Sequence, residues 1–445
     1  MLLLFWTRRK RIDLNKMNDN RRVRAYTLAL ALVIALLGVQ TRIPAAPSLP
    51  LHRGQLVSPA YDQSVIRRRV AEFGVFFGAQ REGRTTYGGY DRRHSLPLIT
   101  GDGFLHLADA FGENEADGGG KWGGQPGIDA GWCATLGAGL ALSTDEATVV
   151  FVAAAQVATF WTHCAGRLVR PIVLVTHNGD EAMPGNDLAR HLDSPKLAHW
   201  FAQNCDRAHV KLSCLPIGLE NRQWGRPRLA GSHGSAPELM LGMLSGLAPE
   251  LPAAAVALRA VNAARAGATI EHSWAWFSVD THTKVRQPLR DMIIAGQSEN
   301  PPRAAWIRNT GGRGPAGRLE PHELYREMLA MTSVVCPRGN GLDAHRMWEA
   351  LYLGRTIIVL AGPLDPLWMG LPVLVLRTWD ELLDANAEMR VLNATLGFAE
   401  RAQELEAEKL FLPYWACLIG RAARREAEFC SSEGLLRVLQ RASPT

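Results

Sequence analysis

The chain is predicted to be an α/β protein made of two successive strand and helix series, and three observations carry that prediction. Short uncharged apolar runs, at 149–153, 172–175 and 212–217 in one half and at 272–279, 304–307, 333–336, 356–360 and 373–376 in the other, have the length of buried strands. Helical patterns fall between them, at 155–168 in the first series and near 283–296, 320–331, 343–353 and 378–390 in the second. Finally, Pro337 to Gly354 reads P-R-G-N-G-L-D-A-H-R-M-W-E-A-L-Y-L-G, a glycine-rich turn that leads from a strand into an amphipathic helix and then another strand.

In chain order, residues 1–24 carry eight basic and two acidic side chains, which equals the whole formal net charge of +6. The remainder is neutral overall, so the basic character marks a membrane-flanking tail and gives no support to a nucleic-acid-binding surface. Ala25 to Val39 is an uncharged apolar stretch between Arg24 and Arg42. It is read as a signal anchor over 25–40, with the tail cytoplasmic and everything beyond it across the membrane, in a type II topology. A cleaved secretory signal ending near Ala45-Ala46 is the competing reading.

Residues 41–95 are assigned to a stem, rich in Pro and Ser at its start. A first domain is placed at 96–240 and a second at 241–400, with charged helices at 401–445 packing back on one of them. Glycine is dense from Gly83 to Gly127, and that stretch is expected to be irregular loop. Residues 225–269 are read as the connection between domains plus a helix. An apolar content of 47% with 21% charged residues suits a folded protein of this arrangement.

Seven cysteines, Cys133, Cys164, Cys205, Cys214, Cys336, Cys417 and Cys430, all follow the apolar stretch. Disulfides are allowed there, an odd count leaves at least one thiol over, and spacing leaves the pairing open. Asn393 opens the sequon Asn393-Ala394-Thr395.

The glycine turn is the strongest candidate site. Gly339 and Gly341 let backbone approach an anion closely, Asp343 is a plausible N-cap, and the helix that follows directs its dipole at the loop. Arg338 and Arg346 supply positive charge for a diphosphate, and Glu349 could accept hydrogen bonds from vicinal sugar hydroxyls. Asn340 and His345 complete the candidate set. The competing reading is that Arg346 and Glu349, spaced i, i+3, simply pair on a solvated helix face. The turn fits neither the G-x-x-x-x-G-K-[ST] phosphate loop nor the G-x-G-x-x-G dinucleotide fingerprint.

Ligands of open α/β sheets sit beyond the carboxyl ends of strands, which brings two more loops into view. Thr281, Thr283, Lys284 and Arg286 follow the first strand of the second series and could meet phosphates opposite Arg338 and Arg346. His177-Asn178-Gly179-Asp180 leaves a strand of the first series. Asp180 and His177 are its candidate general bases, with Glu181, Asp206 and Glu220 next nearest. An Asn-Gly-Asp turn is also sound turn chemistry by itself.

The segment C-P-R-G-N-G-L-D-A-H-R-M-W-E-A-L-Y-L-G, continued by R-T-I-I-V-L and L-P-V-L-V-L-R-T-W-D-E-L, resembles the C-terminal half of exostosin-like glycosyltransferases, glycosyltransferase family 47. L-V-T-H-N-G-D at 174–180, W-F-A-Q-N-C-D at 200–206, L-S-C-L-P-I-G-L-E-N-R-Q-W at 212–224 and W-F-S-V-D-T-H-T-K-V-R at 276–286 are similar to the same group. Where the family commonly has G-C-I-P-V, this chain has Gly354, Arg355, Thr356 and Ile357.

The resemblance implies a GT-B fold, two Rossmann-like domains facing across a cleft. It implies transfer of a sugar from a UDP-sugar to a glycan or glycoprotein acceptor, with inversion, in the Golgi or ER lumen. GT-B enzymes usually rely on basic residues and helix dipoles, and the chain has no D-x-D, so no metal cofactor is expected. A retaining transferase and a non-catalytic glycan-binding or scaffolding relative remain as rivals.

Overall fold

The computed structural model describes residues 66, 86–87, 90–91, 97–112, 128–142, 146–221, 236–246, 253–309, 319, 321–401 and 404–440. The basic tail, the segment read as a signal anchor and most of the segment read as a stem lie outside them. No helix of the described residues is long and apolar enough to cross a membrane.

Two strands, β1 (Thr86–Tyr87) and β2 (Tyr90–Asp91), form a small antiparallel pair. The first large sheet contains β3 (Ala110–Gly112), β4 (Thr148–Ala153), β5 (Ile172–His177), β6 (Leu197–Gln203) and β7 (Leu212–Leu215), all parallel and in sequence order. The second contains β8 (Ser273–Ala275), β9 (Ile307–Asn309), β10 (Ser333–Val335), β11 (Thr356–Leu360) and β12 (Val373–Leu376), also all parallel, in the order β12-β11-β10-β8-β9. Apolar runs make these sheets because a parallel strand is covered on both faces: every residue of β5 is buried, as are the four central residues of β4. Each such Val, Leu or Ile contributes roughly 1.5–3 kcal/mol on burial.

Several elements depart from the sequence expectations. The glycine-dense stretch read as irregular contains the helix Gly101–His106 and strand β3. Thr100 caps that helix, its hydroxyl accepting from Gly103 N at 3.0 Å. Its glycines are packing residues: a Cβ on Gly101 would lie 1.7 Å from the Asn178 side chain, and one on Gly103 would lie 3.1 Å from Leu412. Strand β6 falls in a segment that showed no apolar run long enough to be read as a strand. The helix expected at 378–390 is split into a 3-10 turn at Trp379–Leu383, opened by a capping box between Thr378 and Glu381, and the helix Ala387–Glu400. Asp384, extended at ψ 147°, separates them.

The chain end returns to the first sheet. Phe411 bridges Leu98, and the helix Leu412–Ala422 packs on Gly101–His106 and on β6. Ile66, within the segment assigned to the stem, is helical and buried in the same core. Disulfides join Cys133 to Cys164 and Cys417 to Cys430, leaving Cys205, Cys214 and Cys336 as thiols. One core runs under both sheets, with Trp274, Trp348 and Tyr352 from the second half packed with Phe104, Trp200 and Phe411.

Candidate functional site

The second sheet has one topological switch. From β8 the chain moves to β9 on one side and then returns to β10 on the other, so the loops leaving β8 and β10 diverge from neighbouring strand ends. This is where open α/β sheets offer a ligand crevice. The glycine turn leaves β10, and the Thr281 to Arg286 segment leaves β8.

Arg286 joins these two loops. Its guanidinium is buried and donates to Arg338 O at 2.8 Å, Ser278 O at 2.8 Å and Pro337 O at 3.3 Å. Burial, with Arg346 nearby, lowers its pKa to about 10. It therefore braces the glycine turn with its donors and adds charge beneath it. Arg338 folds over the same turn, donating to Gly339 O and Asn340 O. Thr281, Thr283 and Lys284 are exposed at the mouth of the loop, where the helix Thr283–Ser298 begins.

The helix after the turn spans His345–Tyr352 and ends at Gly354, whose φ of 68° permits the closing bonds Gly354 N to Leu351 O and Arg355 N to Ala350 O. Arg355, the departure from the family pattern, is fully buried and donates to the carbonyls of Leu353, Leu329 and Met331. It ties together the ends of two helices.

Asp343 is not the N-cap. That position belongs to Ala344, which makes no side-chain cap bond. The Asp343 carboxylate is buried and accepts from Ile217 N at 2.7 Å, Ala344 N at 2.8 Å and Trp348 Nε1 at 2.9 Å. Ile217 belongs to the segment leaving β7, so Asp343 is a strut between the two halves. Burial raises its pKa to about 6 against those donors. His345 makes a parallel connection, its Nδ1 lying 2.8 Å from Gly218 O.

Arg346 and Glu349 do pair, at 3.3 Å, but on a face with side-chain exposures of only 22% and 11%, which is not the solvated face of the competing reading. Arg346 also lies over the Trp276 ring at 4.8 Å, and Tyr325 donates to Glu349 Oε1 at 3.3 Å. Burial and the Glu349 charge push the Tyr325 phenol well up, so it stays a donor. Arg346 Nη1 and Glu349 Oε2 are buried atoms without a hydrogen-bond partner among the described residues.

The first-sheet side is built from neutral groups. Asn178 and Asn204, just beyond β5 and β6, have φ of 60° and 56°, the left-handed region that Asn tolerates. Gln203 Oε1 accepts from Asn178 N, and both Gln203 Nε2 and Asn204 Nδ2 donate to Gly179 O. Asn204 Oδ1 accepts from Asp343 N at 2.9 Å, crossing to the glycine turn. Asn221 Nδ2 donates to Asn178 Oδ1, and Asn221 Oδ1 accepts from Asp102 N.

His177 lies inside this network. Its Nε2 is 3.0 Å from Pro216 O, and its Nδ1 accepts from Asn178 N at 2.8 Å. The Nε2–H tautomer follows, because a carbonyl can only accept. Burial lowers its pKa to about 4. Asp180, in contrast, is exposed at the tip of the loop with Glu181 beside it.

The structure thus gathers Arg286, Arg338, Gly339, Asn340, Gly341, Asp343, His345, Arg346 and Glu349 around one turn, with the His177 to Asp180 loop joined to it through Asn204. Sequence reasoning missed Tyr325 and gave no site role to Trp276, Gln203, Asn204 and Asn221, although those four lie in segments that carry the resemblance. The available signal for Gln203 and Asn204 was their place in W-F-A-Q-N-C-D at 200–206, one of the segments that carry the family resemblance. Asn393 is exposed on the helix Ala387–Glu400, whereas the sequon's Thr395 is buried, its hydroxyl on Thr356. Among the described residues no group of three His, Cys, Asp or Glu could hold a metal ion.

No protein-family model and no curated protein matches this chain. Solved structures with some likeness include the OtsA apo structure, at 11% identity and a TM-score of 0.36 over 66% of this chain and 76% of that one. A trehalose-6-phosphate protein from E. coli bound with UDP-2-fluoro glucose has 12% identity and a TM-score of 0.32 over 70% of this chain and 77% of that one. An alpha,alpha-trehalose 6-phosphate synthase from Burkholderia multivorans has 13% identity and a TM-score of 0.32 over 71% and 77%. Likeness of this degree assigns no activity to the chain.

Proposed function

We propose that the chain is a glycosyltransferase of the GT-B class, similar to the exostosin-like family. In this reading it moves a sugar from a UDP-sugar to a glycan or glycoprotein acceptor with inversion. The observation that carries the reading is Arg346 Nη1, a buried guanidinium nitrogen without a hydrogen-bond partner among the described residues, beside the Arg346–Glu349 ion pair and beneath a glycine turn at the switch point of a parallel sheet. Buried polar atoms are satisfied in nearly all folded proteins, so an open guanidinium nitrogen beside a carboxylate that is held only by Tyr325 and by the same arginine supports a ligand carrying both an anion and hydroxyls. A nucleoside diphosphate sugar has both.

In this proposal Arg346 and Arg338 meet the diphosphate, Lys284 approaches it from solvent, and Glu349 takes ribose hydroxyls while Tyr325 holds its other oxygen. Asp180 removes the acceptor proton as the acceptor oxygen bonds to the anomeric carbon. The bond from that carbon to the UDP oxygen breaks, and the leaving charge falls on the arginines. His177, neutral and bonded through both nitrogens, shapes the loop that presents Asp180. No metal takes part. Residues 25–40 hold the chain in a Golgi or ER membrane with its site lumenal, which resistance to alkaline extraction and protection from added protease would check.

The deciding experiment is thermal unfolding of the full chain with UDP, GDP, CMP and ADP in the presence of EDTA, repeated on Arg346→Ala. UDP alone should raise the midpoint, and the variant, still folded by circular dichroism, should lose the shift. Unchanged midpoints with every nucleotide would sink the reading.

A further inference from the structure

Among the described free thiols, Cys205 follows β6 by two residues and Cys214 lies on the neighbouring edge strand β7. Strand pairing sets Cys214 directly opposite Ala202, and the Cys205 sulfur lies 3.3 Å from Ala202 O, on the same rung of the sheet. The Cys214 thiol is near enough to raise the pKa of Cys205, behind the larger effect of burial. Cys205 is fully buried, whereas Cys214 is half-buried at the sheet surface. Cys336, the third thiol, is buried beneath the glycine turn, where burial pushes its pKa up to about 12. The same polypeptide carries two disulfides, so it meets oxidants and exchange partners where it folds.

We propose that Cys205 and Cys214 form a third, reversible disulfide, closed by thiol–disulfide exchange with a small-molecule or protein disulfide. Cys214 gives its proton to water and its thiolate attacks one sulfur of the incoming disulfide, releasing one thiolate. Cys205 then gives up its proton and attacks Cys214 Sγ, expelling the second thiolate. Two protein thiols are oxidised and one disulfide is reduced to two thiols. The order follows from access, since only Cys214 reaches the surface. Burial holds Cys205 in its thiol form, so the closing step quickens as pH rises.

The bond has a place in the site as well as in the sheet. Asn204, adjacent to Cys205, carries the hydrogen bonds to Gly179 and Asp343 that join the two halves. Cross-linking Cys205 to β7 pins the turn that holds Asn204 in its left-handed conformation.

The test is peptide mapping of the folded full chain after exposure to oxidised glutathione, with free thiols alkylated before unfolding and again after it under a second label. The expected result is a cross-linked peptide pair containing Cys205 and Cys214, with Cys336 taking only the second label. Cys214→Ser should leave Cys205 unmodified, and Cys205→Ser should stop at a mixed disulfide on Cys214. Recovery of Cys214 as a stable glutathione adduct in the unmutated chain, or of both cysteines as free thiols, would overturn the proposal. Neither outcome depends on nucleotide binding, so this inference and the transferase reading fail separately.

Discussion

The two halves of the site are built from opposite chemistry. The loops after the first sheet hold neutral amides and a neutral imidazole, each bonded to the next, while the loops after the second sheet hold three arginines and the carboxylates of Asp343 and Glu349. A neutral network costs little to bury because each donor meets an acceptor, and it gives a rigid edge. A charged cluster with open atoms is expensive to keep and is retained where a ligand completes it. In the proposed transferase reading, one half shapes the acceptor side and the other holds the anionic donor.

The largest expected effect comes from the exception on the neutral side. Asp180→Asn should lower transfer by about 10²–10⁴-fold, the usual contribution of a positioned general base. UDP should stabilise that variant as much as the parent chain, because the donor half is untouched. A variant that loses nucleotide stabilisation together with turnover would remove the division of labour between the halves.

The halves also respond oppositely to acid. His177 has a folded pKa of about 4, below its ordinary 6.5, so the stability tied to its neutral form is present above pH 6.5 and lost as pH falls toward 4. Asp343 has a folded pKa of about 6, above its ordinary 3.8, so the native state binds a proton more tightly than the unfolded one, and this group adds stability as pH falls from about 6 to about 4. The stability difference between the parent chain and Asp343→Asn should therefore widen over that interval, by urea unfolding at successive pH values. A constant difference would mean that burial does not perturb Asp343.

The contact between the halves can be probed at Gly341. An added Cβ would lie 2.7 Å from Asn204 Nδ2, so Gly341→Ala must displace the side chain that bonds across the seam. Overpacking of this kind costs about 1–3 kcal/mol. Asn204→Gly removes the obstruction and keeps the left-handed backbone, and the double variant should be more stable than the two separate losses predict. Additive losses would show that the alanine is accommodated elsewhere.

Much of the charged half was legible in the sequence, and little of the neutral half. Strands β11 and β12 match their apolar runs, and the glycine turn with Arg338, Arg346 and Glu349 is a continuous motif whose residues stay together after folding. The neutral network is assembled from the backbone N–H of Asp102 and the side chains of Asn178, the Gln203-Asn204 pair and Asn221, which come from separate stretches of sequence and are individually ordinary. Asp343 shows the same limit: its position suggested a helix cap, but its partner Ile217 is supplied by the other half. The glycines at 101 and 103 hid a helix because their role is to admit Asn178 and Leu412, which local propensity does not register.

The smallest effect is expected at Lys284, and it separates holding from steering. Arg286 makes three backbone bonds and is buried, whereas Lys284 is exposed on the same helix start. Lys284→Ala should change stability by less than about 0.5 kcal/mol, as surface substitutions usually do. If Lys284 approaches a diphosphate only through solvent, its removal should weaken UDP binding a few-fold at low salt, and the difference should fade when the Debye length shrinks to about 3 Å near 1 M salt. A loss that persists in high salt would instead mean that Lys284 touches the phosphate directly, which would place the donor at the start of the Thr283–Ser298 helix as well as over the glycine turn.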